Sequence, residues 1–121
     1  MRLPRFEYVK PDGLQEVLDI LQEHGRKAVI LAGGSDLLVN MKYMVVQPEM
    51  VASIKALPEL NYISSDNKDQ VEIGAGVTLS AIVDNTVIAG LFPAFSESVG
   101  SVASKHIRNM ATIGGNICLD N

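Results

Sequence analysis

Two glycine pairs, about eighty residues apart, are the residues of this chain best suited to binding chemistry. The first lies in Ala32-Gly33-Gly34-Ser35-Asp36, directly after the apolar run 28–31, and the second lies in Thr112-Ile113-Gly114-Gly115-Asn116. Glycine lets the backbone approach a ligand closely and lets successive N–H groups point in one direction. Two such loops suit a diphosphate, because its two negative groups need donors from more than one side.

Neither pair matches a standard nucleotide-binding fingerprint. Both the G-x-G-x-x-G spacing and the Gly-Lys-Ser/Thr of a phosphate loop are absent. Asp36 adds a negative charge close to the predicted site, so its carboxylate must turn away or cap a helix. Each pair alone is more often a structural turn than a binding loop. The combination of the two pairs is a stronger indication than either alone, because it is part of a resemblance to known proteins that further motifs along the chain also carry.

Other reactive side chains form no recognisable constellation. His106 could act as a general acid, but no carboxylate or nucleophile accompanies it, which favours a solvated loop histidine. Lys105 and Arg108 could face a phosphate or a partner chain, although exposed loop cations are usually only solvated. The single cysteine, Cys118, cannot form an internal disulfide or a structural metal site and is expected to be buried. The sequence therefore predicts no catalytic side chain and no metal site.

The composition limits the class of protein. Of the 121 residues, 47% are hydrophobic and 20% are charged, which is enough apolar surface for a folded core. The net charge of −4 and the lack of a Lys/Arg cluster argue against nucleic acid or an anionic membrane surface as a partner. No apolar run approaches the roughly 18 residues of a membrane helix, and no signal-like stretch opens the chain. We therefore expect a cytoplasmic protein.

The elements that position the first glycine pair are predicted to form a strand–helix–strand unit. Apolar residues recur at helical spacing between Asp12, the expected N-cap, and Gly25, the expected end of the helix. Ser35 could cap a short helix after the glycine pair. The predicted strands of this unit lie at residues 6–9, 27–31 and 51–54.

The pattern changes after about residue 56. Alternating apolar residues on both sides of a polar tip at 65–69 predict an antiparallel hairpin. Thr78 is the expected cap of a short helix, and a later helix begins near Pro93. The last segment, 116–121, stops just after a candidate strand, with no terminal helix or polar tail, as if the chain were cut short.

The predicted fold class is therefore α+β, in two parts. A small βαβ lobe covers residues 1–56, and the truncated start of an α+β lobe covers residues 57–121.

The sequence resembles the FAD-binding (medium) subunit of molybdenum hydroxylases. This family includes subunits of xanthine dehydrogenase, carbon monoxide dehydrogenase and 4-hydroxybenzoyl-CoA reductase. The resemblance spans the whole chain and is carried by Phe6-Glu7-Tyr8 with Pro11, Ala32-Gly33-Gly34-Ser35-Asp36-Leu37-Leu38, Ile73-Gly74-Ala75-Gly76-Val77-Thr78-Leu79 and Ala111-Thr112-Ile113-Gly114-Gly115-Asn116.

The resemblance implies a two-lobed FAD-binding fold of the vanillyl-alcohol oxidase type, with FAD between the lobes. Each glycine segment would donate backbone N–H groups to the FAD pyrophosphate, Asn116 would help to fix the cofactor, and Val102 would lie near the flavin. The implied cofactor-binding residues are Ala32, Gly33, Gly34, Ser35, Asp36, Val102, Thr112, Ile113, Gly114, Gly115 and Asn116.

The resemblance also implies a role as an oxidoreductase flavoprotein subunit. Electrons would pass from a molybdenum-cofactor large subunit through [2Fe–2S] clusters of a small subunit to FAD, and then to NAD or another acceptor. The flavin carries the electrons, while the protein supplies position and electrostatics. Family members continue well past the second glycine pair, so reduced FAD affinity is expected of 121 residues.

Two alternatives stay open. The chain could be an assembly module that docks an iron–sulfur partner without carrying flavin. It could also be a different enzyme on the same fold, such as a peptidoglycan-precursor reductase or an aryl-alcohol oxidase.

Overall fold

The computed structural model describes residues 2–119, which form short strands and seven α-helices. The strands are β1 (Glu7–Val9), β2 (Ala28–Leu31), β3 (Met50–Ser53), β4 (Ile63–Ser65) and β5 (Val71–Ile73). The helices are α1 (Leu14–His24), α2 (Leu37–Lys42), α3 (Leu79–Val83), α4 (Thr86–Leu91), α5 (Pro93–Gly100), α6 (Lys105–Arg108) and α7 (Ile113–Cys118), with 3₁₀ turns at Gly25–Lys27 and Pro58–Leu60.

The first three strands form a parallel sheet in the order β1-β3-β2. Strand β3 is central and all four of its residues are buried, with Tyr8 and Val29 both in register with Val51. Parallel strands need crossover connections, and α1 and α2 supply them. Val17 of α1 and Met41 of α2 pack into the two small cores beside this sheet. The first glycine pair therefore lies where β2 leaves the sheet.

The second part of the chain packs an antiparallel hairpin, β4–β5, with short helices. Its core contains Leu79 and Ile82 of α3, Ile88 of α4 and Val99 of α5. The segment before α7 pairs with the segment before α3: the Leu79 N–H donates to the Ala111 carbonyl at 2.9 Å. This pairing brings the second glycine pair next to the hairpin.

The main predictions from sequence are confirmed. The structure is mixed α+β, with the βαβ opening, the antiparallel hairpin and a helix that starts at Pro93. Thr78 caps α3, because its side chain accepts a hydrogen bond from the Ala81 N–H at 3.2 Å. The division near residue 56 stays a prediction.

Three helices were not predicted. The N-cap residues of α4 and α6 are Asn85 and Ser104, whose side chains accept hydrogen bonds from backbone N–H groups three residues later. Helix α7 occupies residues predicted as a loop and a candidate strand, so that prediction is wrong over 113–118. Residues 120–121 of that last segment lie outside the described residues.

The predicted capping roles of Asp12 and Ser35 are also wrong. Helix α1 is capped from a distant segment: the Glu59 carboxylate accepts a hydrogen bond from the Leu14 N–H at 2.8 Å. The N-cap position of α2 is Asp36, which makes no side-chain capping bond. Local spacing could not reveal Glu59, because 45 residues separate it from Leu14.

We expect Glu59→Gln to lower the urea midpoint of unfolding at pH 7. The Leu14 N–H lowers the pKa of Glu59 below its ordinary value of 4.5, so the folded state favours the carboxylate. This stabilisation is present above about pH 4.5 and is lost as the pH falls through the folded-state pKa. The difference in midpoint between wild type and variant should therefore shrink in acid.

Glu97→Gln is the matched control, because Glu97 is an exposed carboxylate of α5. Equal midpoints for wild type and Glu59→Gln at pH 7 would contradict the capping role.

Candidate functional site

Both glycine-containing segments line one cleft of about 540 Å³. The cleft is bounded by the loop after β2, by the turn around Val102 and by the start of α7. The predicted site residues that line it are Ala32, Gly33, Gly34, Ser35, Asp36, Val102, Thr112, Gly115 and Asn116. Ile113 and Gly114 are not among the lining residues. Folding thus brings together two segments that are far apart in sequence.

The loop after β2 presents backbone donors that the protein leaves unused. Among the described residues, the N–H groups of 32–36 have no acceptor within hydrogen-bonding distance. Gly34 has a φ of 84°, in the left-handed region that favours glycine. Successive free amides around a left-handed residue are the local geometry of anion-binding loops.

Gly33 is required by packing within the protein. A side chain here would collide with the Met110 carbonyl oxygen, and its Cβ would lie 2.9 Å from the Ala111 Cα. The loop after β2 therefore touches the backbone just before α7 directly. The sequence suggested that this glycine makes space for a ligand, whereas the structure uses that space for a second stretch of backbone.

The second glycine pair is not a loop, and its amides are hydrogen-bonded within the protein. It lies in the first turn of α7, where the Ile113 and Gly114 N–H groups donate to the Val77 and Ala75 carbonyls at 3.0 and 2.9 Å. The Gly115 N–H donates to the Thr112 side chain at 3.1 Å. The Asn116 N–H donates to the Thr112 carbonyl at 3.0 Å.

This segment therefore offers the cleft side chains rather than free amides. The Thr112 hydroxyl oxygen accepts from Gly115 and keeps its own hydrogen to donate, although Thr112 itself is largely buried. The Asn116 side chain is exposed and carries two N–H donors.

The cleft has a neutral to negative lining. Within the described part of the chain, Asp36 is the one charged residue that lines it, and no lysine, arginine or histidine does. Asp36 is exposed, and its carboxylate makes no capping bond to α2. An anion bound here would be held by neutral hydrogen-bond donors and would meet one opposing charge.

Two expectations for single side chains are resolved by the structure. The prediction that Cys118 is buried is wrong, because this last residue of α7 is exposed and lines the cleft. His106 is exposed on α6 and does not line the cleft.

No group of three or more potential metal ligands occurs among residues 2–119. Over the same range no helix is both long and apolar enough to cross a bilayer.

Several lining residues were missed by the sequence. Asn40 lies one helical turn after Asp36 on α2, a spacing that could have identified it. Ala103 and Ile107 are apolar residues of a turn and of an unpredicted helix, and no sequence signal marks them. A second, smaller cleft of about 250 Å³ shares Gly33 and Thr112 and is also lined by Lys55.

Comparison with known proteins places this geometry in context. Residues 4–121 match the model of the family described as the FAD binding domain in molybdopterin dehydrogenase. The chain is 32% identical to the caffeine dehydrogenase subunit beta of Pseudomonas sp. (strain CBB1), over 98% of this chain and 40% of that protein. It is 35% identical to the carbon monoxide dehydrogenase medium chain of Hydrogenophaga pseudoflava, over 94% of this chain and 39% of that protein.

A solved structure shares the fold. The carbon monoxide dehydrogenase from Hydrogenophaga pseudoflava that lacks the Mo-pyranopterin moiety of the molybdenum cofactor superimposes with a TM-score of 0.92 and 35% identity. The match covers 97% of this chain and 40% of that chain. The present sequence thus spans about two fifths of the length of these relatives.

We expect Gly33→Ala to destabilise the protein by about 3 kcal/mol or more, because the added Cβ meets backbone that cannot move aside as a side chain could. Thermal and urea unfolding would measure the loss. Gly90→Ala is the matched control: Gly90 lies in α4 and an added methyl group would meet nothing within 4 Å, so this change should be neutral or stabilising by up to about 1 kcal/mol. Similar stabilities for both variants would show that the contact at Gly33 is loose.

Proposed function

Because this chain belongs to the family of FAD-binding domains of molybdopterin dehydrogenases, we propose that its main cleft binds the pyrophosphate of FAD. The observation that carries the proposal is the run of unpaired N–H groups at residues 32–36, which lines the cleft. A hydrogen bond to a charged acceptor is worth about 1.5–3 kcal/mol, so a few of them can hold a diphosphate without a cation.

The donor set fits a diphosphate, but the two glycine segments would contribute different kinds of hydrogen-bond donor. The loop after β2 supplies main-chain donors to one phosphate. Thr112 and Asn116 supply side-chain donors to the other, since the amides of 113–116 already have acceptors. Val102 lines the same cleft as an apolar residue and is our candidate for contact with the isoalloxazine.

We propose that the complete protein is the FAD-binding subunit of a molybdenum-containing hydroxylase or dehydrogenase. The bound flavin would supply the electron-transfer chemistry, between [2Fe–2S] clusters of a small subunit and NAD or another acceptor. A molybdenum-cofactor large subunit would be the second partner. The support is that named relatives are a medium chain and a subunit beta of such dehydrogenases. A cytoplasmic location belongs to the same proposal.

The finer fold description is also a proposal. We propose the two-lobed, vanillyl-alcohol oxidase type of FAD-binding fold, with a boundary near residue 56. Its support is the separation of the parallel sheet, whose last strand ends at Ser53, from the antiparallel hairpin that begins at Ile63. Leu31, Met41 and Val51 form a buried cluster before this boundary, and a second buried cluster lies after it, at Val77, Leu79, Ile82, Ile88 and Val99. A third cluster crosses the boundary, because Leu57 packs with Val17 and Ile54.

Titration of the purified chain with FAD, ADP and riboflavin tests the site. FAD fluorescence should change saturably on binding, ADP should compete because it contains the same pyrophosphate, and riboflavin should not compete because it has no phosphate. Riboflavin competing as well as ADP would show that the diphosphate is not what the cleft recognises. A folded chain that binds neither FAD nor ADP would favour the assembly-module alternative.

We expect Asp36→Asn to tighten FAD binding about two- to fivefold at low salt, because it removes the negative charge that lines the cleft while keeping the backbone donor. The gain should shrink in high salt, where exposed charges are screened. Glu97→Gln removes the same charge at a residue outside the cleft lining and should leave the affinity unchanged. Weaker binding by Asp36→Asn would mean that this carboxylate supports the site.

A further inference from the structure

The turn between α5 and α6 forms one wall of the main cleft and contains a strained residue. Val102 and Ala103 both line the cleft. Ala103 has a φ of 49°, in the left-handed region that is unfavourable for a residue with a Cβ. Something in the surrounding structure must therefore hold the turn in place.

Arg108 provides that restraint. Its Nη1 donates hydrogen bonds to the carbonyl oxygens of Val102 and Ala103, at 3.0 and 3.1 Å. The side chain is half-buried, and its own backbone is fixed because the Arg108 N–H donates to the Ser104 carbonyl at 2.9 Å within α6. The guanidinium thus bridges two consecutive carbonyls, one of which belongs to the strained residue.

Arg108 does not line the cleft, although its two acceptors belong to residues that do. It is therefore neither a phosphate ligand nor a freely solvated cation, which are two of the three roles that the sequence left open; the third, contact with a partner chain, stays a prediction. Its effect on a bound molecule must pass through the position of the turn.

We propose that Arg108 is a positioning residue for the FAD site: it holds the Val102–Ala103 turn, in which Ala103 is left-handed, as the wall against which the cofactor rests. This inference rests on the proposed FAD-binding function. Arginine suits the task because its charge is permanent and its planar group presents several donors. A lysine ammonium also carries three N–H donors, but its side chain is shorter and lacks the planar group that fixes the direction of the donors, so it would hold the turn less firmly. A methionine has no N–H donor and would not hold the turn at all.

The test compares Arg108→Met, Arg108→Lys and the wild-type chain by FAD titration, at a temperature where thermal unfolding shows each of them to be folded. Loss of a charge-assisted hydrogen-bond pair should weaken FAD binding about tenfold or more in Arg108→Met, with Arg108→Lys between it and the wild type. Lys105→Met is the matched control, because it removes the same charge from an exposed residue of α6 outside the cleft lining. It should stay within about twofold of the wild type.

Two further readouts separate positioning from general stability. The visible circular dichroism of FAD bound at saturation should differ between Arg108→Met and the wild type, because the wall beside the cofactor has moved. Adding Ala103→Gly to Arg108→Met should recover part of the lost affinity, since glycine adopts the left-handed conformation without strain. The double variant and Arg108→Lys also keep the test decisive if Arg108→Met does not fold.

The outcomes are distinguishable. If the wild-type chain binds FAD and Arg108→Met binds it with the same affinity and the same spectrum, the positioning role is overturned and the FAD site stands. The same holds if Lys105→Met loses as much affinity as Arg108→Met, or if Ala103→Gly recovers nothing. A wild-type chain that binds no FAD overturns the proposed function, and the role of Arg108 with it.

Discussion

The contact between Gly33 and the backbone of Met110 and Ala111 is the constraint on which the cleft depends. It joins the loop after β2 to the segment before α7, and it exists because residue 33 has no side chain. Gly114 makes a similar close backbone contact with Ala75, because a Cβ at residue 114 would lie 2.7 Å from the Ala75 carbonyl oxygen. Contacts between main chains leave little room for adjustment, so the two segments have a fixed relative position.

The main-chain hydrogen-bond donors of the cleft are the N–H groups that this backbone contact leaves without a protein acceptor. The loop after β2 touches the second segment through Gly33, and its own N–H groups stay without protein acceptors. At the start of α7, by contrast, the backbone N–H groups donate hydrogen bonds to the Ala75 and Val77 carbonyls and to Thr112. Two glycine pairs that look alike in sequence therefore do different work: one presents main-chain donors, and the other anchors a helix whose side chains face the cleft.

The electrostatic character of the site sets how it would recognise a ligand. With no cation in the described lining and Asp36 opposing an anion, attraction at long range is weak. Binding would then depend on short, directed hydrogen bonds and on apolar contact with the Val102 turn. Such a site selects by shape and donor position, which suits a cofactor held in place for electron transfer better than a ligand captured by charge alone.

Local chemistry was readable from the sequence wherever neighbours along the chain decide the structure. Apolar spacing located α1 and β2, a hydroxyl three residues before its partner identified the Thr78 cap, and the glycine pairs marked the two segments of the cleft. Helices α4 and α6 carry equally local caps at Asn85 and Ser104, but they are too short to show a clear apolar period.

Tertiary structure alone decided which backbone N–H groups are free to bind a ligand and which side chain holds the turn that lines the cleft. The capping of α1 by Glu59, the occupied amides of 113–116, the exposure of Cys118 and the link from Arg108 to the Val102–Ala103 turn all depend on packing. The sequence determined that glycine stands at 33 and 114, whereas the fold determined what lies against each. The physical reason is that an amide is free or paired according to the carbonyl that folding brings within about 3 Å, and periodicity along one segment carries no information about that partner.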